Sequence, residues 1–301
     1  MAYRYLAKIN FVMTNSKDLF NELVGRITLD EKKAEIQSII YLLLENKLGL
    51  TRTEILSDKL IDNADQSALN LCIERINNHE PIQYILGEAF FYGRLFKVNP
   101  AVLIPRPETE LLVREIISYE QKMKGDLMRI LDIGTGSGCI AISLALEIKN
   151  ATVLATDVSP TALNCAKENS LLLGASVRFI DHDILKEALT ESFDLIVSNP
   201  PYISFEEKSS MKPNVLKFEP HLALFASEAD PLLFYKKIIE KSKKSLSAHG
   251  SLWFEINEHF GQEVMGLLKA HGFVDIQIIK DLDGKERIVS GHLPREIVQK
   301  T

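Results

Sequence analysis

From residue 129 onward the chain alternates short apolar runs with helical periodicity, and this alternation constrains the fold more than any other feature. RILDIG (129 to 134), TVLATDV (152 to 158), VRFIDHD (177 to 183), FDLIVSN (193 to 199) and SLWFEI (251 to 256) read as strands. Helical patterns lie near 138 to 149, 160 to 173, 231 to 247 and 260 to 271. Strands joined by helices bury both faces most simply in a parallel, doubly wound sheet. The ending differs. VDIQIIKD (274 to 281) and RIVSGHL (287 to 293) flank Asp283-Gly284 with no helix between them, which predicts an antiparallel hairpin.

Upstream the texture changes. From Leu19 to about Glu80 apolar residues recur at three and four, Thr51 to Glu54 has capping-box spacing, and Asp65 to Asn77 is amphipathic, so this part reads as helical. After Pro81, IQYILGEAFFYGRLFKVNPAVLIPRPETE is rich in aromatic and β-branched residues and punctuated by Gly and Pro, the pattern of a β-hairpin linker. A helix then runs from Glu108 to about Met123. The expected organisation is a helical domain over 1–80, a linker over 81–107 and an α/β domain over 108–301. A parallel sheet closed by an antiparallel pair resembles the Rossmann-like methyltransferases.

Several partners are disfavoured. A net charge of -6 argues against binding energy drawn from many phosphates, so no direct nucleic-acid binding is expected. Cys72, Cys139 and Cys165 are scattered and odd in number, which suits a reducing cytoplasm. No apolar run approaches the roughly 20 residues that span a bilayer, and the opening MAYRYLAKINFVMTNSKD lacks the apolar core and cleavage site of a signal peptide. The His residues show no ligand spacing, so no metal is expected.

The first strand ends in LDIGTGSGCIAISLA, with Gly134, Gly136 and Gly138 between an apolar strand and an apolar helix. Such a loop lies at the carboxyl edge of an α/β sheet, where ligands bind. Its GxGxG spacing lacks the third Gly of a dinucleotide fingerprint, and no GK[ST] marks a phosphate-binding loop. Asp157, at the end of the next strand, is placed to accept hydrogen bonds from both ribose hydroxyls, and Asp183 from an adenine amino group. An adenosine without a pyrophosphate fits S-adenosyl-L-methionine (S-adenosylmethionine).

The fourth strand runs into Asn199-Pro200-Pro201-Tyr202 on the same edge. Two consecutive prolines fix two φ angles and delete two donors. An amide nitrogen is a poor nucleophile because its lone pair is delocalised, so a site that alkylates it must hold both its hydrogens. The Asn199 side-chain oxygen and the Pro200 carbonyl are two rigid acceptors for that task. The Tyr202 ring can cover the planar group.

The segments PIQYILGEAFFYG, VLIPRPETELLV, ILDIGTGSGCIAISLA, ATDVSPTAL, FDLIVSNPPYI, FEPHLALFA and DLDGKERIV, spread from Pro81 to Val289, resemble the protein-(glutamine-N5) methyltransferases of peptide chain release factors, the PrmC/HemK family. The resemblance implies a Rossmann-like S-adenosylmethionine-dependent domain and a helical N-terminal domain that helps hold the release factor. It implies methyl transfer to the glutamine of a Gly-Gly-Gln motif. Carried over by position, Gly134, Thr135, Gly136, Ser137 and Gly138 cradle the methionine part, Asp157 takes the ribose, and Asp183 and Ile184 border the adenine. Asn199, Pro200, Pro201 and Tyr202 hold the glutamine, with Asn199 also beside the cofactor. A cytoplasmic monomer is expected.

Three alternatives stay open: a ribosomal-protein glutamine as target, adenine-N6 methylation of DNA, which also uses NPPY, and a non-catalytic module that docks a translation factor. Other residues read as follows. Arg106 is either a pocket-shaping residue or a helix-start residue. Glu108 and Glu110 are first-turn acids, and Phe90, Phe91 and Tyr92 are linker packing rather than a tunnel lining. Glu255 is a solvated strand end, Trp253 is core, and KKIIEKSKKS (236 to 245) is a solvated helix face.

Overall fold

A computed structural model of the chain describes residues 14–61, 65–123, 127–203, 207–208, 211–227 and 229–294. The signal-peptide exclusion made on the opening stretch lies outside the described residues up to position 13. The chain divides into two compact units at the boundary between Leu86 and Gly87.

The first unit is helical: α1 (Ser16–Gly25), α2 (Lys33–Leu48), α3 (Arg52–Leu56), α4 (Gln66–Asn77) and α5 (Ile82–Leu86), with two short strands, β1 (Thr14–Asn15) and β2 (Leu60–Ile61), paired antiparallel. Leu19, Leu23, Ile40, Leu43, Leu44 and Ile73 form its core. The capping box at the start of α3 is present in full: Glu54 N–H donates to Thr51 Oγ1 at 3.2 Å and Thr51 N–H donates to Glu54 Oε2 at 2.9 Å. Asp65 caps α4 by accepting from the Ser67 and Ala68 amides. One expectation is corrected. The stretch after Pro81, read as hairpin from its start, begins as helix α5, because Ile82 and Ile85 at helical spacing bury into the first unit's core.

The hairpin proper follows in the second unit, β3 (Glu88–Phe91) against β4 (Arg94–Lys97). Tyr92 and Gly93 make the two-residue turn, both at positive φ (49° and 77°), as a type I′ turn requires. Then come α6 (Pro107–Met123), β5 (Met128–Ile133), α7 (Cys139–Glu147), β6 (Ala151–Asp157), α8 (Pro160–Leu173), β7 (Val177–Asp181) and β8 (Phe193–Ser198). The order continues with α9 (Pro213–Phe218), α10 (His221–Leu224), α11 (Leu233–Ser245), β9 (Leu246–Glu255), α12 (Gly261–Ala270), β10 (Val274–Lys280) and β11 (Glu286–His292).

The seven-stranded sheet has order β10-β11-β9-β8-β5-β6-β7. Strands β9, β8, β5, β6 and β7 are mutually parallel, and β11 and β10 close one edge as an antiparallel pair, as the sequence predicts. Alternation along each strand sorts side chains to two layers. Ile130, Leu195, Val197 and Trp253 join α6 and α7 on one face; Leu131, Ile196, Leu252 and Phe254 join α11 and α12 on the other. The short helices α9 and α10 were not legible as periodic segments. No helix among the described residues is long and apolar enough to cross a membrane.

Candidate active site

At the carboxyl edge of the sheet, the segments leaving β5, β6, β7 and β8 enclose a cavity of about 360 Å³. Gly134, Thr135, Gly136 and Ser137 line it from the β5–α7 loop, and Asp157 from the end of β6. Asp183 and Ile184 reach it from beyond β7, and Asn199, Pro200 and Pro201 from beyond β8. Of the expected site residues, Gly138 and Tyr202 stand outside the lining.

Gly138 is needed where it stands for two reasons. Its φ is +82°, and a Cβ would lie 2.8 Å from Ile142 Cδ1 and 3.1 Å from Ala166 Cβ, so the loop can press against α7 and α8 only without one. The loop is anchored on both sides. The Gly134 and Thr135 amides donate to the Thr156 carbonyl at 2.8 and 2.9 Å, while the wholly buried Asn169 donates to the carbonyls of Ser137 and Lys97, both at 2.9 Å. Asp157 completes the frame, accepting from Gly136 N–H on Oδ2 and from Ser159 N–H on Oδ1, each at 2.9 Å. Burial raises its carboxyl above the ordinary range.

Asp183 lies two residues beyond the end of β7 rather than on it, because the strand stops at Asp181. Its Oδ1 accepts from Leu185 N–H at 2.9 Å and its Oδ2 pairs with Lys186 at 2.8 Å, which holds the carboxyl below its usual range. Lys241 of α11 donates to the carbonyls of Ile184 and Glu187, so the expectation of a wholly solvated basic face is corrected at this position. Its half-buried ammonium pins the loop that carries Ile184.

Asn199 is half-buried, and its Nδ2 donates to Thr109 Oγ1 at 3.4 Å. Among the described residues neither its Oδ1 nor the Pro200 carbonyl takes an intramolecular hydrogen bond. Tyr202 donates its hydroxyl to Glu255 Oε1 at 3.4 Å. Glu255 overturns the expectation of a solvated strand end: it is 2% exposed and accepts from Thr109 Oγ1 on Oε2 at 2.6 Å. Burial pushes its carboxyl up to about 7. The parity of β9 held the signal, since Glu255 lies two residues from the core residue Trp253 and so faces the same side.

Arg106 lines the cavity and forms an ion pair with Glu219, whose side chain is 1% exposed. This favours a pocket-shaping part for Arg106 and joins the PRP segment to FEPH. Glu110 is more than a helix-start acid, because it accepts from Tyr92 N–H at 2.8 Å across the hairpin turn. Neither Phe90 nor Phe91 lines the cavity; Phe91 is buried, in accord with packing, while Phe90 is 67% exposed and departs from it. Sequence reasoning passed over Thr109, Glu219 and Asp132. Asp132 is fully buried, its Oδ2 accepts from Thr135 Oγ1 at 2.7 Å, and its Oδ1 has no hydrogen-bond partner among the described residues. Burial pushes its carboxyl up to about 7 against the pull of the Thr135 hydroxyl and the Ala141 amide.

Comparison with known proteins bears on the family and the fold. The Methyltransferase small domain family matches residues 108–217 and the PrmC N-terminal domain family matches residues 25–87. A release factor glutamine methyltransferase of Flavobacterium psychrophilum is 46% identical over 92% of this chain and 98% of its own length. The chain belongs to the release factor glutamine methyltransferase family. A second member, from Bacteroides thetaiotaomicron, is 42% identical over 86% of the methyltransferase described here and 93% of its own length. The fold is shared with the hMettl16 catalytic domain at a TM-score of 0.53, 18% identity, and coverage of 80% of this methyltransferase and 87% of that structure.

Proposed function

We propose that this methyltransferase moves a methyl group from S-adenosylmethionine to the side-chain amide nitrogen of the glutamine in the Gly-Gly-Gln motif of peptide chain release factors. The observation that carries the proposal is the convergence of the Gly loop, Asp157 and the Asn199-Pro200 acceptors on one cavity. The residues present fit the cofactor. A cavity of about 360 Å³ has the size of a small-molecule site, and a fixed carboxylate at the end of β6 presents acceptors suited to vicinal hydroxyls. The Gly134 to Gly138 loop would hold the amino-acid part, Asp157 the ribose, and Asp183 and Ile184 the adenine. When bound, the cofactor supplies an electrophilic methyl.

The chain's own residues supply orientation. Asn199 Oδ1 and the Pro200 carbonyl accept the two N–H groups of the target amide and leave its lone pair directed into the cavity. Pro200 and Pro201 keep that acceptor pair from reorganising. No general base is required before transfer, because the amide nitrogen becomes acidic only after alkylation. The helical first unit serves to recognise the release factor. The protein acts as a cytoplasmic monomer on a protein substrate; the net charge of -6 and the free thiols Cys72, Cys139 and Cys165 support this.

The test is methyl-label transfer from S-adenosylmethionine to a purified release factor, with duplex DNA and a ribosomal-protein fraction as parallel acceptors. Label on the release factor alone is expected. Label on DNA alone would replace the proposal with an adenine-N6 activity.

A further inference from the structure

A carboxamide has two nearly isosteric ends, so Asn199 can accept from the target amide only if its oxygen, not its nitrogen, faces the cavity. Nothing in Asn199 itself selects that orientation. The selection is built beside it, by Thr109, which lines the same cavity. Its Nδ2 donates to Thr109 Oγ1 at 3.4 Å, Thr109 Oγ1 donates to Glu255 Oε2 at 2.6 Å, and Tyr202 donates to Glu255 Oε1 at 3.4 Å. Thr109 and Glu255 are both buried, at 3% and 2% exposure.

Resting on the proposed role of Asn199 as an acceptor, we propose that Thr109 and Glu255 are positioning residues that set the amide orientation of Asn199 for methyl transfer. The polarity follows from proton counting. An ionised carboxylate only accepts, so the single Thr109 proton must point to Glu255, and the Thr109 lone pairs are left to accept from Asn199 Nδ2. Oδ1 is then the amide end left free to accept from a substrate.

A proton on Glu255 removes the constraint. The carboxylic acid can donate to Thr109, the Thr109 proton can turn toward Asn199, and the flipped amide presents its NH2 to a substrate NH2, a donor against a donor. The groups facing Glu255 are the Thr109 and Tyr202 hydroxyls, the Glu108 carboxylate, the Arg287 guanidinium, the Cys139 thiol, and the Tyr235 hydroxyl, which donates to the Glu255 backbone carbonyl at 3.2 Å. Burial outweighs Arg287 and brings the carboxyl to about 7, so the ordering strengthens as pH rises through neutrality.

The experiment measures kcat and KM for methyl transfer to a release factor from about pH 6 to 9 with the full chain. Thr109→Val should lower kcat by roughly tenfold to a hundredfold, the scale of a misplaced catalytic group, a larger effect than any on KM for S-adenosylmethionine. Thr109→Ser, which keeps the hydroxyl, should retain most of the rate. Glu255→Gln, whose neutral amide can donate to Thr109 as the protonated acid does, should hold kcat near the reduced acid-side level and remove its rise with pH. Asp132 titrates near the same pH but is unaltered in these variants, so an acid limb that persists in Glu255→Gln belongs elsewhere and overturns the inference. Should Glu255→Gln fail to fold, the Thr109 pair decides: equal rates for Thr109→Val and Thr109→Ser overturn it. Asn199→Ala runs beside them. If it is impaired while the Thr109 and Glu255 variants behave as wild type, only this inference falls; if it turns over normally, the acceptor role itself falls.

Discussion

The Gly136 amide donates to Asp157 Oδ2 at 2.9 Å, so one carboxylate ties the Gly loop after β5 to the end of β6. The same side chain both frames the cavity and offers acceptors to it. Asp157→Ala should therefore weaken S-adenosylmethionine binding by about 1.5 to 3 kcal/mol, the range for losing a charged hydrogen-bond acceptor. Isothermal calorimetry checks this, and wild-type affinity in the variant would rule out the assignment.

Asn199→Ala removes one of the two acceptors proposed for the target amide. By analogy with deletion of a single oxyanion-hole donor, the expected loss is about 3 kcal/mol in kcat, roughly a hundredfold. Thermal stability should change little, because Asn199 is half-buried and makes one long bond. Steady-state kinetics with a saturating release factor reads the effect, and a near-normal kcat would remove Asn199 from the chemistry.

Two buried carboxyls give stability a definite dependence on pH. Burial raises Glu255 from 4.5 and Asp132 from 3.8, each to about 7. A carboxyl whose folded pKa lies above its unfolded one stabilises the fold fully below the unfolded value and loses that contribution as pH rises through the folded value. For Glu255 the shift corresponds to about 3 kcal/mol. Relative to wild type, Glu255→Gln should therefore gain stability at about pH 8 but not at about pH 5 in denaturant titrations. A difference independent of pH would contradict the raised carboxyl of the buried Glu255.

Arg106 and Glu219 are coupled unequally to solvent, with side-chain exposures of 32% and 1%. Removing the arginine strands a buried acid, a change worth about 3–5 kcal/mol when both partners are enclosed. Solvent at Arg106 lowers the expectation to about 2 kcal/mol for Arg106→Met. Adding Glu219→Gln to that variant should recover part of the loss. Additive losses in the double-mutant cycle would show that the pair is not coupled.

Much of the fold was legible because its signals are local. The strand runs from RILDIG to RIVSGHL, the helices between them and the Asp283-Gly284 hairpin all declare themselves within a few residues. The cavity's frame was legible for the same reason: Gly134, Gly136, Asp157 and Asn199 sit at strand ends, and strand ends share one edge of the sheet. What escaped depends on contacts remote in sequence. Thr109 and Glu255 are 146 residues apart, and Arg106 and Glu219 are 113 apart, so no local pattern joins them. Helix α5 was misjudged because Ile82 and Ile85 serve a core laid down by α2 and α4, while the residues around them carry strand-like composition. The tetrapeptide announces the Tyr202 ring as a cover for the substrate but not the Glu255 partner of its hydroxyl.

The most direct measurement of the central claim is tandem mass spectrometry of a release factor incubated with this methyltransferase and S-adenosylmethionine, beside the same factor with its Gly-Gly-Gln glutamine changed to alanine. The expected result is one methyl on the glutamine side-chain nitrogen of the first factor and none on the second. A methyl on any other residue, or one that survives the alanine change, would contradict the proposed target.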